Sequence, residues 1–229
     1  MGLGLGLLAL AAALAAPAAG AAGHSGRAAK APAELGAPGP AARRLAAWRT
    51  LLRAGRALDE RAKLQRVNRF FNRLRYVPDG RPAEDQWATP REFLARAGGD
   101  CEDFALAKYF TLRALGVPRE RLRLTYVRAL TPNRARRVQA HMVLTYTAAR
   151  PGPGSDRTLV LDNLEADIRP LSRRPDLRPV YSFNGAGLWL ADRHGPGRRV
   201  GGAERLSRWQ DLLRRMGREA GPVVLSTAF

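Results

Sequence analysis

The hydrophobic period of this 229-residue chain changes near its middle, and that change fixes the order of its architecture. Up to Leu115 apolar residues recur at spacings of three and four, the mark of helices buried on one face. From Leu122 they gather into short runs rich in Val, Leu, Thr and Tyr, bounded by Pro, Asn and Gly, which read as antiparallel strands. Helices first and a sheet second is an α+β arrangement, with helices packed on a small antiparallel sheet.

The pattern is helical from about Ala41 to Tyr76, where Leu64, Val67, Phe71 and Leu74 share a face and Arg fills the other. Tyr76-Val-Pro-Asp-Gly-Arg-Pro is a turn-rich break. In Thr89-Pro90-Arg91-Glu92, Thr89 can cap, Pro90 suits the first helical position and Glu92 can close a capping box, so a short helix starts there. Gly98-Gly99 ends it, and Asp100 can cap a second helix that runs to about Leu115 and stops at Gly116 and Pro118. Strands are expected at Leu122 to Leu130, Gln139 to Thr147 and Thr158 to Asp162. A last amphipathic helix is expected over about Ala203 to Arg218. No internal repeat is present.

Before this folded part, Met1 to Gly23 carry no charge, and an apolar run from Leu3 to Ala16 leads into Pro17-Ala-Ala-Gly-Ala-Ala-Gly. This reads as a cleaved export signal, although no Lys or Arg precedes the run. The run is shorter than the roughly 18 apolar residues of a membrane span, so no stable membrane insertion is expected. Residues 24–40, rich in Ala, Gly and Pro, read as a flexible tether, and 41–229 as a single domain. One Cys excludes an intramolecular disulfide framework and a thiolate zinc cluster. Lys stands only at 30, 63 and 108, so 36 of the 39 basic residues are Arg, an imbalance of the kind a genome-wide codon bias produces. The formal charge of +19 is therefore spread as solvated Arg-rich faces; it would also suit an acidic protein partner. No zinc finger or RNA-binding motif accompanies it, and nucleic-acid binding is not expected.

The single Cys sits where thiol chemistry favours it. Cys101 follows Gly98-Gly99-Asp100 at the first turn of a helix, where unsatisfied N–H groups and the helix dipole favour a thiolate. A thiolate nucleophile needs a base. His24 lies in the tether, His194 in a Gly-Pro loop, and His141 opens the apolar strand Met142-Val143-Leu144, which would hold it in place. A third group should orient the imidazole through its other nitrogen. Asp162 closes the apolar run Leu159-Val160-Leu161, where a carboxylate is costly unless paired, and Asn163 is the alternative. Asp100, Glu102 and Asp103 surround the thiol with three carboxylates that would oppose its ionisation. A divalent cation with oxygen ligands would cancel that repulsion, and calcium fits an all-oxygen set better than zinc.

Six segments then occur in order: Val67-Asn68-Arg69-Phe70-Phe71-Asn72, Trp87 to Leu94, Gly99-Asp100-Cys101-Glu102-Asp103-Phe104-Ala105, Ala107-Lys108-Tyr109, His141-Met142-Val143-Leu144 and Leu161-Asp162-Asn163-Leu164. Together they resemble the bacterial transglutaminase-like cysteine proteinase family, including its branch of LapG-type periplasmic adhesin proteases, from about residue 60 to 190. The segment Asp79 to Trp87 departs from the family in being short, and the Arg-rich C-terminal part is less distinctive. The resemblance implies a papain-like or transglutaminase-like cysteine proteinase fold. It implies Cys101 as nucleophile, His141 as general base and then acid, and Asp162 as orienting carboxylate. Asn68 would contribute a backbone or amide contact, and the Cys101 N–H would be one oxyanion donor. It further implies Ca2+ held by Asp100, Glu102 and Asp103, a periplasmic location, and a large surface adhesin cut near its N-terminus to release cells from a biofilm. An inner-membrane cyclic di-GMP receptor would sequester the protease. Two other readings use the same residues: an acyl transferase that passes the thioester to an amine, and a non-catalytic calcium- or polyanion-binding periplasmic module.

Overall fold

A computed structural model describes residues 38–78, 86–130, 137–149, 157–191 and 197–220. The expected export signal, most of the tether, His24 and His194 lie outside these residues. The helix α1 starts at Pro40 (Pro40–Gly55), with the Pro at its first turn, so the last residue assigned to the tether is already helical. The helical stretch read as continuous to Tyr76 is broken after Gly55. Asp59 caps a second helix, α2 (Glu60–Phe71), by accepting from the Ala62 N–H at 2.8 Å. Its buried face is Leu64, Val67, Asn68 and Phe71, one residue in three or four as the period requires.

After α2, β1 (Arg75–Tyr76) precedes α3 (Pro90–Arg96). The capping box is present at α3: Thr89 Oγ1 accepts from the Glu92 N–H at 3.1 Å and Glu92 accepts from the Thr89 N–H at 2.9 Å. The residue that ends α3 is Ala97, in the left-handed region at φ 62°. Gly98-Gly99 instead forms β2, paired in parallel with β1, and a Cβ at Gly98 would lie 2.5 Å from the Arg75 carbonyl oxygen. The glycine there allows close strand approach. Next, α4 (Cys101–Ala114) buries residues on all sides, as a helix inside a core must. It packs on α2 and α3 on one side and on the sheet on the other.

The expected strands form the middle of that sheet as β3 (Leu122–Leu130), β4 (Val138–Thr147) and β5 (Thr158–Leu161). The sheet is larger than expected. It adds β6 (Arg169–Pro170), β7 (Leu177–Asn184), β8 (Gly187–Leu190) and β9 (Arg198–Gly201), in the antiparallel order β6-β5-β4-β3-β7-β8-β9. These strands are short or half-exposed, so their apolar alternation is weak in sequence. A short 3₁₀ turn at Ala203–Arg205 leads into α5 (Ser207–Ala220). From α5, Trp209 stacks on Phe110 of α4, with ring centroids 5.5 Å apart, and meets Phe183 of β7 edge-on. Arg215 of α5 reaches Glu92 and the Trp87 carbonyl, tying the C-terminal helix to the start of α3. Among the described residues, no helix is long and apolar enough to cross a membrane.

Candidate active site

Cys101 is the first residue of α4 and is 8% exposed. Asp100 caps the helix, its Oδ1 accepting from the Asp103 N–H at 3.2 Å. Two groups meet the thiol. The Met142 N–H of β4 donates to Sγ at 3.4 Å, and the thiol donates to Glu102 Oε2 at 2.8 Å. Tyr126 of β3 holds the other oxygen of Glu102 at 3.0 Å. Burial first, and the charge and hydrogen bond of Glu102 second, push the Cys101 thiol well above its ordinary range; the Met142 N–H works the other way. In this arrangement the Glu102 carboxylate accepts from the thiol and opposes its ionisation.

The Met142 contact brings the thiol beside His141, the preceding residue of β4. His141 is 2% exposed, and its Nε2 lies 2.8 Å from Asp162 Oδ1. The register pairs Leu144 with Leu161, so one step further Asp162 stands diagonal to His141 across the two strands. Asp162 is ionised. Burial raises its carboxyl, but the His141 hydrogen bond and charge, the Leu164 N–H at 3.0 Å and Arg174 outweigh it and hold the group well below the usual carboxylate range. An ionised carboxylate accepts, so Nε2 carries the hydrogen and Nδ1 is the nitrogen left for the thiol proton. Asn163 does not take this role: both polar atoms of its side chain are buried without a partner.

Three supporting residues were not assigned from sequence. Arg174 Nη2 donates to Asp162 Oδ2 at 2.8 Å, and its Nε and Nη2 also bind Asp176. Asn72 Nδ2 donates to the Asp162 carbonyl at 2.8 Å. Tyr126 fixes Glu102. Of these, Asn72 stood in a quoted motif without a role, and nothing in local spacing marks Arg174 or Tyr126. Asn68, expected near the reacting atoms, instead donates from Nδ2 to the Ala166 carbonyl at 3.1 Å, fastening the loop after Asp162.

The expected cage of three carboxylates is not assembled. Successive helical residues project about 100° apart, so neighbours at the start of α4 face different ways. Asp103 turns inward, where Oδ1 accepts from the Ala88 N–H at 2.7 Å, while Glu102 turns to the thiol and Tyr126. Among the described residues, no group of three or more His, Cys, Asp or Glu side chains is placed to hold a metal ion. Asp100 and Asp103 remain together at the Gly99 loop, and a Cβ at Gly99 would lie 2.1 Å from Asp103 Oδ2.

A buried Cys at a helix N-terminus, beside a His-Asp pair on adjacent strands, is the arrangement of a papain-like thiol hydrolase. Comparison with known proteins agrees. Solved structures of Legionella pneumophila LapG are 43% identical to this chain: an EGTA-treated form at TM-score 0.66 covers 79% of this chain and 91% of that one. A calcium-bound form at TM-score 0.65 covers 79% and 93%. No curated protein matches the sequence. Residues 51–177 match the family model of the bacterial transglutaminase-like cysteine proteinases (BTLCP), so the chain belongs to that family and is a cysteine protease.

Proposed function

We propose that this cysteine protease is a calcium-dependent endopeptidase of the periplasm, exported by the segment 1–23, that cuts the N-terminal region of a large surface adhesin and so controls biofilm release. A membrane receptor for cyclic di-GMP would be its sequestering regulator. The observation that carries the enzymatic reading is the Met142 N–H on Cys101 Sγ beside the His141–Asp162 pair. The adhesin, the receptor and the compartment rest on the six motifs shared with the LapG-type branch. Calcium rests on the calcium-bound and EGTA-treated forms of the LapG structure.

The residues present fit calcium chemistry in part. Asp100 and Asp103 supply carboxylate oxygens at one loop, and the absence of a side chain at Gly99 leaves that loop room for the Asp103 carboxylate. These two aspartates, with backbone carbonyls, would hold the ion. A bound calcium would supply positive charge beside a thiol surrounded by carboxylates and would stiffen the entry to α4. His141 Nδ1 takes the Sγ proton, while Asp162 stabilises the resulting imidazolium through Nε2 and fixes the ring orientation. The thiolate attacks the scissile carbonyl, and the Cys101 N–H, unsatisfied at the helix start, donates to the developing oxyanion. His141 returns the proton to the leaving amine, and water then hydrolyses the thioester with His141 as base.

The test is incubation with the N-terminal fragment of a candidate adhesin, with and without EGTA and with a labelled amine. Two shorter pieces that appear only with calcium support the reading. Amine incorporation into an intact fragment would assign acyl transfer instead, and equal cleavage in EGTA would remove calcium from the mechanism.

A further inference from the structure

A solvent-open cavity of about 290 Å³ lies between the segment that enters α3 and the start of α5. Gln86 and Trp87 line it from the first, and Ser207, Arg208, Asp211 and Arg214 from the second. Contacts join its wall to the nucleophile along two paths. Ala88, next to Trp87, donates its N–H to Asp103, two residues beyond Cys101, at 2.7 Å. On the other path the thiol meets Glu102, Tyr126 holds the second Glu102 oxygen, and the Tyr126 ring lies 4.7 Å, centroid to centroid, from that of Tyr181 on β7. Two residues along β7, and so on the same face, Phe183 stacks on Trp87 at 5.6 Å and meets Trp209, the neighbour of Arg208.

The wall is fixed in advance: Trp87 is 4% exposed and its carbonyl is held by Arg215. Its charge is one-sided. Two guanidinium groups face one carboxylate, and that carboxylate, Asp211, is already bound by Arg214 at 3.3 Å and by Arg215 at 2.8 Å. A ligand therefore meets positive charge, the Ser207 hydroxyl, the Gln86 amide and the Trp87 indole. A carboxylate on a short apolar stem matches all of these, the oxygens on the guanidinium and polar groups and the methylenes on the indole. The chain thus carries part of its excess of Arg in a concave site beside the reacting thiol.

We propose that this cavity is a substrate subsite that takes an Asp or Glu side chain of the protein being cut, close to the scissile bond, and selects substrates by that charge. The proposal rests on the reading of the protein as an endopeptidase acting through Cys101. Because the arginines are solvent-exposed, the selection is modest, about fivefold for an ion pair of this kind.

The test gives the full protein, with calcium, a library of peptides made from a bacterial proteome by chymotrypsin, and reads the new termini by mass spectrometry. Asp and Glu are expected about fivefold over Asn and Gln at one position near the cut. Arg208→Glu combined with Arg214→Glu is expected to lose that preference and to gain one for Lys and Arg at the same position, a gain that a misfolded protein could not show. Arg66→Glu combined with Arg69→Glu, both exposed on α2, makes the same change in net charge and is expected to keep the acidic preference. On one selected peptide, Arg208→Gln combined with Arg214→Gln is expected to raise KM about fivefold with little change in kcat. Cleavage without an acidic preference, a preference that survives the Arg208 and Arg214 reversal, or one that is equally lost in the α2 variant would each overturn the subsite. No cleavage beyond that of Cys101→Ala would instead overturn the endopeptidase reading, and the subsite with it.

Discussion

Arg174 donates from Nη2 to Oδ2 of Asp162 at 2.8 Å, which leaves Oδ1 to His141. The side chain of Asp162 is fully buried and that of Arg174 is 8% exposed, so this ion pair is nearly dry. The pair engages one carboxylate oxygen while the other meets His141. Arg174 is itself anchored by Asp176 at the solvent side, through three hydrogen bonds of 2.8, 2.9 and 3.2 Å.

Removing Arg174 leaves a buried carboxylate short of one partner. Arg174→Met is expected to cost about 3 kcal/mol, the usual penalty for breaking a buried pair from one side. Urea unfolding followed by circular dichroism checks this. A loss below about 1 kcal/mol would show that water replaces the guanidinium.

The depressed carboxyl of Asp162 gives a signed acid dependence. Its folded-state value lies below the ordinary 3.8, so its contribution to stability is present in full above about pH 4 and is lost as pH falls through the folded value. Asp162→Asn is therefore expected to be less stable than the unaltered protein at pH 6, with the gap narrowing below pH 4. Thermal unfolding across pH 2.5 to 7 measures the gap, and a constant difference would contradict the assignment.

Glu102 accepts from the Cys101 thiol and its negative charge opposes ionisation, so neutralising it should make Cys101 easier to ionise. Glu102→Gln is expected to raise the rate of alkylation by iodoacetamide at pH 8 several-fold, with Cys101→Ala as the unreactive control. A slower rate would mean that the carboxylate assists ionisation.

At Gly99 an added methyl meets the Asp103 carboxylate at 2.1 Å, and Asp103 is held by the Ala88 N–H. Gly99→Ala is expected to displace that carboxylate, with a loss of about 1 to 3 kcal/mol for the unsatisfied buried amide. It should also shrink the rise in melting temperature on adding calcium. Calorimetry with and without EGTA reads both effects.

The excess of Arg yields a salt dependence. If the +19 chain attracts an acidic adhesin segment, cleavage should slow as sodium chloride rises at fixed calcium, through kcat/KM more than kcat. A flat profile would return the charge to codon usage.

The local chemistry of the chain was legible because it is written at short range. Thr89 with Glu92 and Asp100 with Asp103 are contacts three residues apart, and a capping pattern encodes them directly. The order of elements and the placing of Cys101 at a helix start and His141 on a strand came from the same local periodicities. The exposed or short strands β6, β7, β8 and β9 escaped because half-buried residues carry little alternation. Which way Glu102 faces was also hidden, since rotation about the helix, not proximity in sequence, divides it from Asp103.

The sequence by itself determined the order of helices before strands and singled out Cys101, His141 and Asp162 as candidates, because residue type, helix caps and strand ends are properties of neighbouring residues. Only the tertiary structure decided what those groups touch. Arg174 reaches Asp162 over 12 residues, Asn72 over 90, and Met142 reaches Cys101 over 41. Such contacts are set by how the sheet twists against α2 and α4, and no local spacing records that geometry. The partners of Cys101 and of Asp162 therefore became visible only once the chain was folded.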